Sequence, residues 1–255
     1  MRKVVPEKVD NGSFDLVLTS PPFNTGKPMY DIHNDSMSEE DYLDLLISSA
    51  MVCEKALKKG GHMIYNLPPM VGRAPPRMYS IYFMYLMDQK HRRGETELWF
   101  AGIKNWLKGE AGRRFQAVGS KYGKPSTLDD NEWLIIFRKG YEDRNGIKGE
   151  LPDSQMIYDM IRTWIFDKPP LEIRPETRGS LRNIHKALFP EELVEKVLEN
   201  FTRKNEMVLD PFGGLGTTLR VAKRMQRSCI TVELSPLYAN YIDTSTLLKF
   251  VKDEE

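Results

Sequence analysis

The sequence predicts an α/β domain assembled from strand–helix–strand units, and three observations carry the prediction. The first is a stretch near the C-terminal end. Met207-Val208-Leu209 is an apolar run ending at Asp210, Pro211 to Gly216 is a glycine-rich turn, and Thr217 to Met225 is an amphipathic run of helical period. The second is that short apolar runs alternate with stretches of helical spacing along much of the chain. The third is size: 255 residues suit one α/β domain with a smaller embedded region.

Taken in order, Phe14 to Thr19 reads as a buried strand. Ser20-Pro21-Pro22-Phe23-Asn24 must end it, because two prolines cannot continue a ladder. A stiff loop carrying a hydroxyl, an aromatic ring and an amide at the end of an α/β strand suits a ligand site. The same residues also suit a plain turn with a core phenylalanine. Residues 25–37 read as a polar loop. Ser38-Glu39-Glu40-Asp41 has the character of an N-cap with early acids, opening a helix through Leu57. Lys58-Lys59 then favour the helix C-terminus, and Gly60-Gly61 are expected to stop it.

His62 to Asn66 is the next strand, and Tyr79 to His91 the next helix. Leu98 to Ile103 and Glu132 to Phe137 read as strands. Between those two lies a basic, glycine-rich segment, Lys104 to Asn131. From Lys90 to Lys124 there are nine Lys or Arg against three Glu, although the whole chain carries only +1. A local basic face is what phosphate binding requires; a solvated surface has the same charge signature. Arg113, Arg114, Lys121 and Lys124 are the candidate phosphate contacts within it. Residues 141–184 have weak periodicity and read as an inserted recognition region, with an irregular structural connection as the alternative. Pro190 and two following acids open a helix with an apolar stripe from Leu193 to Phe201. Cys229 to Val232 is a strand ending at Glu233, and Ser235-Pro236 begins a last helix.

An acid ending the second strand of such a unit is placed to accept hydrogen bonds from a ribose. A helix N-terminus behind a glycine turn suits polar or anionic groups. The first functional expectation is therefore a nucleoside-containing cofactor, with a dinucleotide still open. Composition is ordinary for a globular chain, 40% hydrophobic and 29% charged. No apolar run approaches membrane-spanning length, no signal-peptide pattern opens the chain, and no His/Cys cluster has zinc spacing. Cys53 and Cys229 read as reduced core thiols, which predicts a cytoplasmic protein.

The pair Thr19-Ser20-Pro21-Pro22-Phe23-Asn24 and Asp210 to Thr218 resembles the S-adenosylmethionine-dependent DNA amino-methyltransferases of the permuted β group, in which the catalytic Pro-Pro motif precedes the cofactor loop. The resemblance covers nearly the whole chain. It implies a Rossmann-like methyltransferase sheet with helices on both faces and one antiparallel strand. It divides the chain into a catalytic half (1–140), a candidate target-recognition region (141–184) and a cofactor-binding half (185–255).

It also implies roles. Ser20, Pro21, Pro22 and Phe23 would handle the target base. Asp210, Pro211, Phe212, Gly213, Gly214, Gly216, Thr217, Thr218 and Glu233 would hold S-adenosyl-L-methionine. His185, Phe189 and Pro190 would close over its amino-acid end, and Asn24 would reach the cofactor or substrate. Double-stranded DNA is the implied substrate, a homodimer and a cognate restriction endonuclease the implied partners. Serine in the first motif position favours cytosine N4 over adenine N6. Relatives usually place a further strand and a Gly-Asp before the match to Phe14; thirteen residues precede Phe14 here, so that edge strand is expected to be shortened or absent. Many relatives also have serine where Leu215 stands. An RNA or protein-amide methyltransferase is disfavoured by the motif order, and a non-catalytic DNA-binding module by the intact motifs.

Overall fold

The protein's structure is a computed structural model. It describes residues 11–26, 35–72, 75–108, 131–141, 163–166, 189–239 and 242. Seven strands form one sheet: β1 (Phe14–Thr19), β2 (Leu57–Leu67), β3 (Leu98–Lys108), β4 (Asn131–Lys139), β5 (Thr163–Phe166), β6 (Met207–Asp210) and β7 (Ser228–Thr231). Their spatial order is β5-β3-β4-β2-β1-β6-β7. β4 runs antiparallel to both β2 and β3, whereas the other pairings are parallel. One reversed strand is therefore present, as the family resemblance implied. Strands from both the 1–140 and 185–255 stretches share this single sheet.

β1 is an interior strand between β2 and β6, and all six of its residues are buried, as expected of a near-continuous apolar run covered on both faces. The period of two then divides the core. Leu16 and Leu18 join Ile64, Ile136 and Val208 on one face, against the apolar stripes of α3 (Glu191–Phe201) and α4 (Thr217–Arg224). Val17, Met63, Tyr65, Ile135 and Leu209 face the other way, against α1 (Glu39–Ala56) and α2 (Tyr79–Arg92). Asp15 is the polar exception. Its buried carboxylate accepts from Lys58 Nζ and from the Met207 backbone N–H, both at 2.9 Å, and so staples β1 to both neighbours.

Ser38 caps α1 as expected, its hydroxyl accepting from Asp41 N at 3.1 Å. The end of α1 is a correction. The helix stops at Ala56, and Lys58 to Gly61 belong to β2 rather than to a helix terminus. The reason is long-range. Lys58 is recruited by Asp15, and the register jumps from Phe14 opposite Leu57 to Leu16 opposite His62. The glycines serve that bulge: Gly60 has φ +74°, and a Cβ on Gly61 would lie 2.8 Å from Leu57 Cδ1 and 3.0 Å from the Asp15 carbonyl.

β3 is also longer than expected, because Lys104 to Lys108 continue the strand. Trp106 is buried, and its indole N–H donates to the Phe166 carbonyl at 3.0 Å. β5 therefore places part of the 141–184 stretch in the central sheet. Beyond Tyr141 and β5, that stretch lies outside the described residues, as do residues 1–10. No described helix is long and apolar enough to cross a membrane. The last described helix, α5 (Pro236–Ala239), follows β7.

Candidate active site

Parallel pairing brings the carboxyl ends of β1, β6 and β7 to one edge of the sheet. The two sequence motifs meet there. Thr19, the last residue of β1, donates its hydroxyl to Asp210 Oδ1 at 2.7 Å. This hydrogen bond joins the loop carrying Ser20 to the loop carrying the glycines, across 191 residues of chain.

The Ser20–Asn24 loop is held from behind. The Tyr42 hydroxyl donates to the Pro22 carbonyl at 2.5 Å, and Phe23 packs against the core under α1 and α2 while remaining half-exposed. Pro21 is buried, and Ser20 is half-buried. Asn24 does a different job from the expected ligand contact. It is 1% exposed at φ +58°, and its amide donates to the Met37 carbonyl and the Tyr79 hydroxyl while its oxygen accepts from Met37 N–H. Buried polar groups are hydrogen-bonded, and these bonds satisfy Asn24 within the protein. Asp35, overlooked in the sequence, completes the clasp by accepting from Asn24 N, Thr25 N and Thr25 Oγ1 at 2.7–2.8 Å.

The glycine loop is equally determined. Gly213 N donates to the Val232 carbonyl at 2.8 Å, and a Cβ at Gly213 would lie 2.0 Å from Thr231 Oγ1, so only glycine fits against β7. Gly216 caps α4 in the left-handed conformation, φ +75°. Thr217 and Thr218 open the helix and are buried. Glu233 is half-buried just past β7. One of its oxygens accepts from Gly214 N at 2.6 Å, the other from Ser235 N at 2.7 Å. Pro211 is buried and Phe212 half-buried; the Phe212 N–H donates to Asp210 Oδ1 at 3.2 Å.

Burial raises the pKa of Asp210, although the Thr19 hydroxyl and the Phe212 N–H oppose the shift. Burial raises Glu233 as well, against the N–H groups of Ser235 and Gly214. Carboxylates short of solvent are stabilised by any donor a ligand brings, such as a hydroxyl pair or an ammonium group. The thiols offer no nucleophile: burial pushes Cys53 up to about 12 and raises Cys229 well above its usual range. Among the described residues, no group of three or more His, Cys, Asp or Glu could hold a metal ion.

Pro190 is the N-cap of α3, and Phe189 packs on the core beneath it. His185, Arg113, Arg114, Lys121 and Lys124 lie outside the described residues. Asn66 is a further neighbour missed in the sequence. It stands near the end of β2, its Nδ2 3.4 Å from Ser20 Oγ, and its only sequence signal was a polar residue closing an apolar strand.

A family model described as DNA methylase matches residues 14–244. The type II methyltransferase M.BglII of Bacillus subtilis is 26% identical over 91% of this chain, which spans 63% of that relative's length. Among solved structures, the PvuII DNA methyltransferase (cytosine-N4-specific) superposes with a TM-score of 0.72 at 21% identity, covering 98% of this chain and 85% of its own. A candidate DNA modification methylase from Thermus thermophilus, solved with S-adenosyl-L-methionine, gives 0.67 at 22% identity, covering 100% and 96%. Both structures share the fold described above.

Proposed function

The chain belongs to the DNA methylase family, and from that premise we propose that it moves a methyl group from S-adenosyl-L-methionine to the N4 amine of a cytosine in double-stranded DNA. The observation that carries the proposal is the Thr19–Asp210 hydrogen bond, which sets the Ser-Pro-Pro-Phe loop directly beside the glycine loop. A methyl donor in one loop then lies within reach of an amine held by the other.

The glycine loop fits a nucleoside methyl donor. The carboxylate of Glu233 beside the turn suits the ribose hydroxyls, and the buried carboxylate of Asp210 suits the amino-acid part. The Glu233 carboxylate, with about four acceptor sites, keeps capacity beyond the backbone N–H groups of Gly214, Leu234 and Ser235. Asp210, Pro211, Thr217, Thr218 and the Phe212–Gly216 backbone would form the rest of this pocket. Phe189, Pro190 and His185 would cover its amino-acid end. When bound, S-adenosyl-L-methionine supplies an electrophilic methyl with its own leaving group.

The protein's part is to present the amine. A base-paired exocyclic amine is inaccessible, so the base leaves the stack. Phe23 stacks on it. Ser20 Oγ and the Pro21 carbonyl accept the two amine N–H groups, which turns the nitrogen lone pair toward the methyl group. Pro22 stiffens the loop. Arg113, Arg114, Lys121 and Lys124 contact phosphates, and residues 141–184 read the sequence between the catalytic (1–140) and cofactor-binding (185–255) halves. Serine rather than aspartate or asparagine before the prolines supports cytosine, and the PvuII relative is a cytosine-N4 enzyme by name. Pairing with a restriction endonuclease is part of this reading. Transfer of a radiolabelled methyl group to unmethylated duplex DNA tests it. Incorporation into DNA is expected; tight DNA binding with no incorporation into any DNA would show a non-catalytic binding module instead.

A further inference from the structure

A chain of buried polar groups reaches Ser20 from three strands. Lys108, at the end of β3, pairs with Glu132, at the start of β4: Nζ to Oε1 is 2.8 Å, with the two side chains 10% and 8% exposed. Glu132 Oε2 accepts from Asn66 Nδ2 at 2.6 Å. The same nitrogen lies 3.4 Å from Ser20 Oγ. Asn66 is 1% exposed, and its Oδ1 is buried with no donor among the described residues.

Stability does not account for this arrangement. A buried ion pair is often no more stable than apolar residues of the same shape, and a buried carbonyl oxygen without a donor is a net cost. Its effect is directional. Glu132 can receive only the nitrogen end of the Asn66 amide, because the oxygen end would repel a carboxylate. The amide therefore turns its N–H groups toward both Glu132 and Ser20. With one Ser20 lone pair facing Asn66, the hydroxyl keeps one lone pair and one O–H for the substrate. That is the complement of an exocyclic amine beside an unprotonated ring nitrogen. The 3.4 Å contact is long, as such hydrogen bonds often are before substrate closes the site.

We propose that Asn66 is a positioning residue that fixes the donor–acceptor polarity of the Ser20 hydroxyl, with Glu132 orienting it and Lys108 neutralising Glu132. This rests on the reading of Ser20 as an acceptor for the amine. The test uses the full chain with unmethylated genomic DNA, measuring kcat and, by calorimetry, S-adenosyl-L-methionine affinity. Asn66→Ala should lower kcat about 10- to 100-fold with cofactor affinity unchanged, and should cost nothing further when added to Ser20→Ala. An unchanged kcat, or an equal loss in the Ser20→Ala background, would overturn the proposal. If Asn66→Ala also loses cofactor binding, Glu132→Gln decides, since it keeps the side-chain volume. A lower kcat at native affinity supports the positioning role, and a native kcat overturns it. Near-normal turnover of Ser20→Ala alone would instead overturn the reading of Ser20, and the inference with it.

Discussion

Gly213→Ala gives the sharpest test of how the cofactor loop is built. The new Cβ would lie 2.0 Å from Thr231 Oγ1 and 3.2 Å from both Thr231 Cβ and the Val232 carbonyl. Side-chain rotation can remove only the first contact. It would also break the Thr231 hydroxyl's 3.3 Å hydrogen bond to the Asp210 carbonyl, and the other two contacts would still press on backbone and on a β-branched carbon. Overpacking of this kind costs about 1–3 kcal/mol, and the lost hydrogen bond adds ~0.5–1.5 kcal/mol. At roughly 2–4 °C per kcal/mol for a chain of this size, the Tm should fall by several degrees. Cofactor affinity should fall with it, because Gly213 N–H is bonded to Val232 and the loop must move as a unit. The assay is thermal unfolding with a calorimetric titration of S-adenosyl-L-methionine, run on Gly213→Ala, Thr231→Ala and the double variant. Thr231→Ala removes the worst contact, so the double variant should recover part of the loss in a non-additive way. A native Tm for Gly213→Ala, or strictly additive effects, would refute the close-packing argument.

Three further outcomes follow from the same geometry. Glu233→Ala should weaken cofactor binding by ~1.5–3 kcal/mol and lower the Tm, because Gly214 and Ser235 lose their acceptor; an unchanged dissociation constant in calorimetry would remove the ribose role. Burial raises the pKa of Asp210 from its ordinary value, so the folded state holds its proton more tightly than the unfolded state. Its contribution to stability is present below the unfolded pKa and lost as pH rises through the folded one. Asp210→Asn should therefore flatten the fall of Tm between acid and neutral pH while weakening cofactor binding, and a native Tm–pH slope would contradict the assignment. Asn24→Ala should cost roughly 2–3 kcal/mol of stability, read in denaturant unfolding; a native midpoint would show that the clasp to Met37 and Tyr79 does not hold the loop.

What the sequence made legible was local or strongly periodic. β1 was visible because a strand buried on both faces is a near-continuous apolar run, broken here only by Asp15 before Thr19 ends it, and the β6–α4 turn because its glycines and flanking periods change character within a few residues. That one strand is reversed came from the family resemblance, and that it is β4 came from the structure, since antiparallel pairing leaves little trace in one strand's own residues. Lys58 to Gly61 were misread because lysines followed by glycines are sound helix-stop chemistry; the deciding partner, Asp15, lies 43 residues away. β5 was hidden in a short apolar piece whose strand character depends on β3. Asn24 looked like a ligand amide because its clasp partners at Asp35, Met37 and Tyr79 are distant in sequence. Asn66 and Glu132 escaped notice for the same reason: their meaning lies in a contact across strands.

The central claim is that this site methylates an exocyclic amine of cytosine in DNA. The most direct measurement incubates the purified chain with unmethylated genomic DNA and S-adenosyl-L-methionine carrying a deuterated methyl group, then analyses the digested nucleosides by mass spectrometry. Mass-shifted N4-methylcytosine is the predicted product, formed far more slowly by Ser20→Ala. Labelled N6-methyladenine would contradict the choice of base, and no labelled nucleoside would contradict the claim itself.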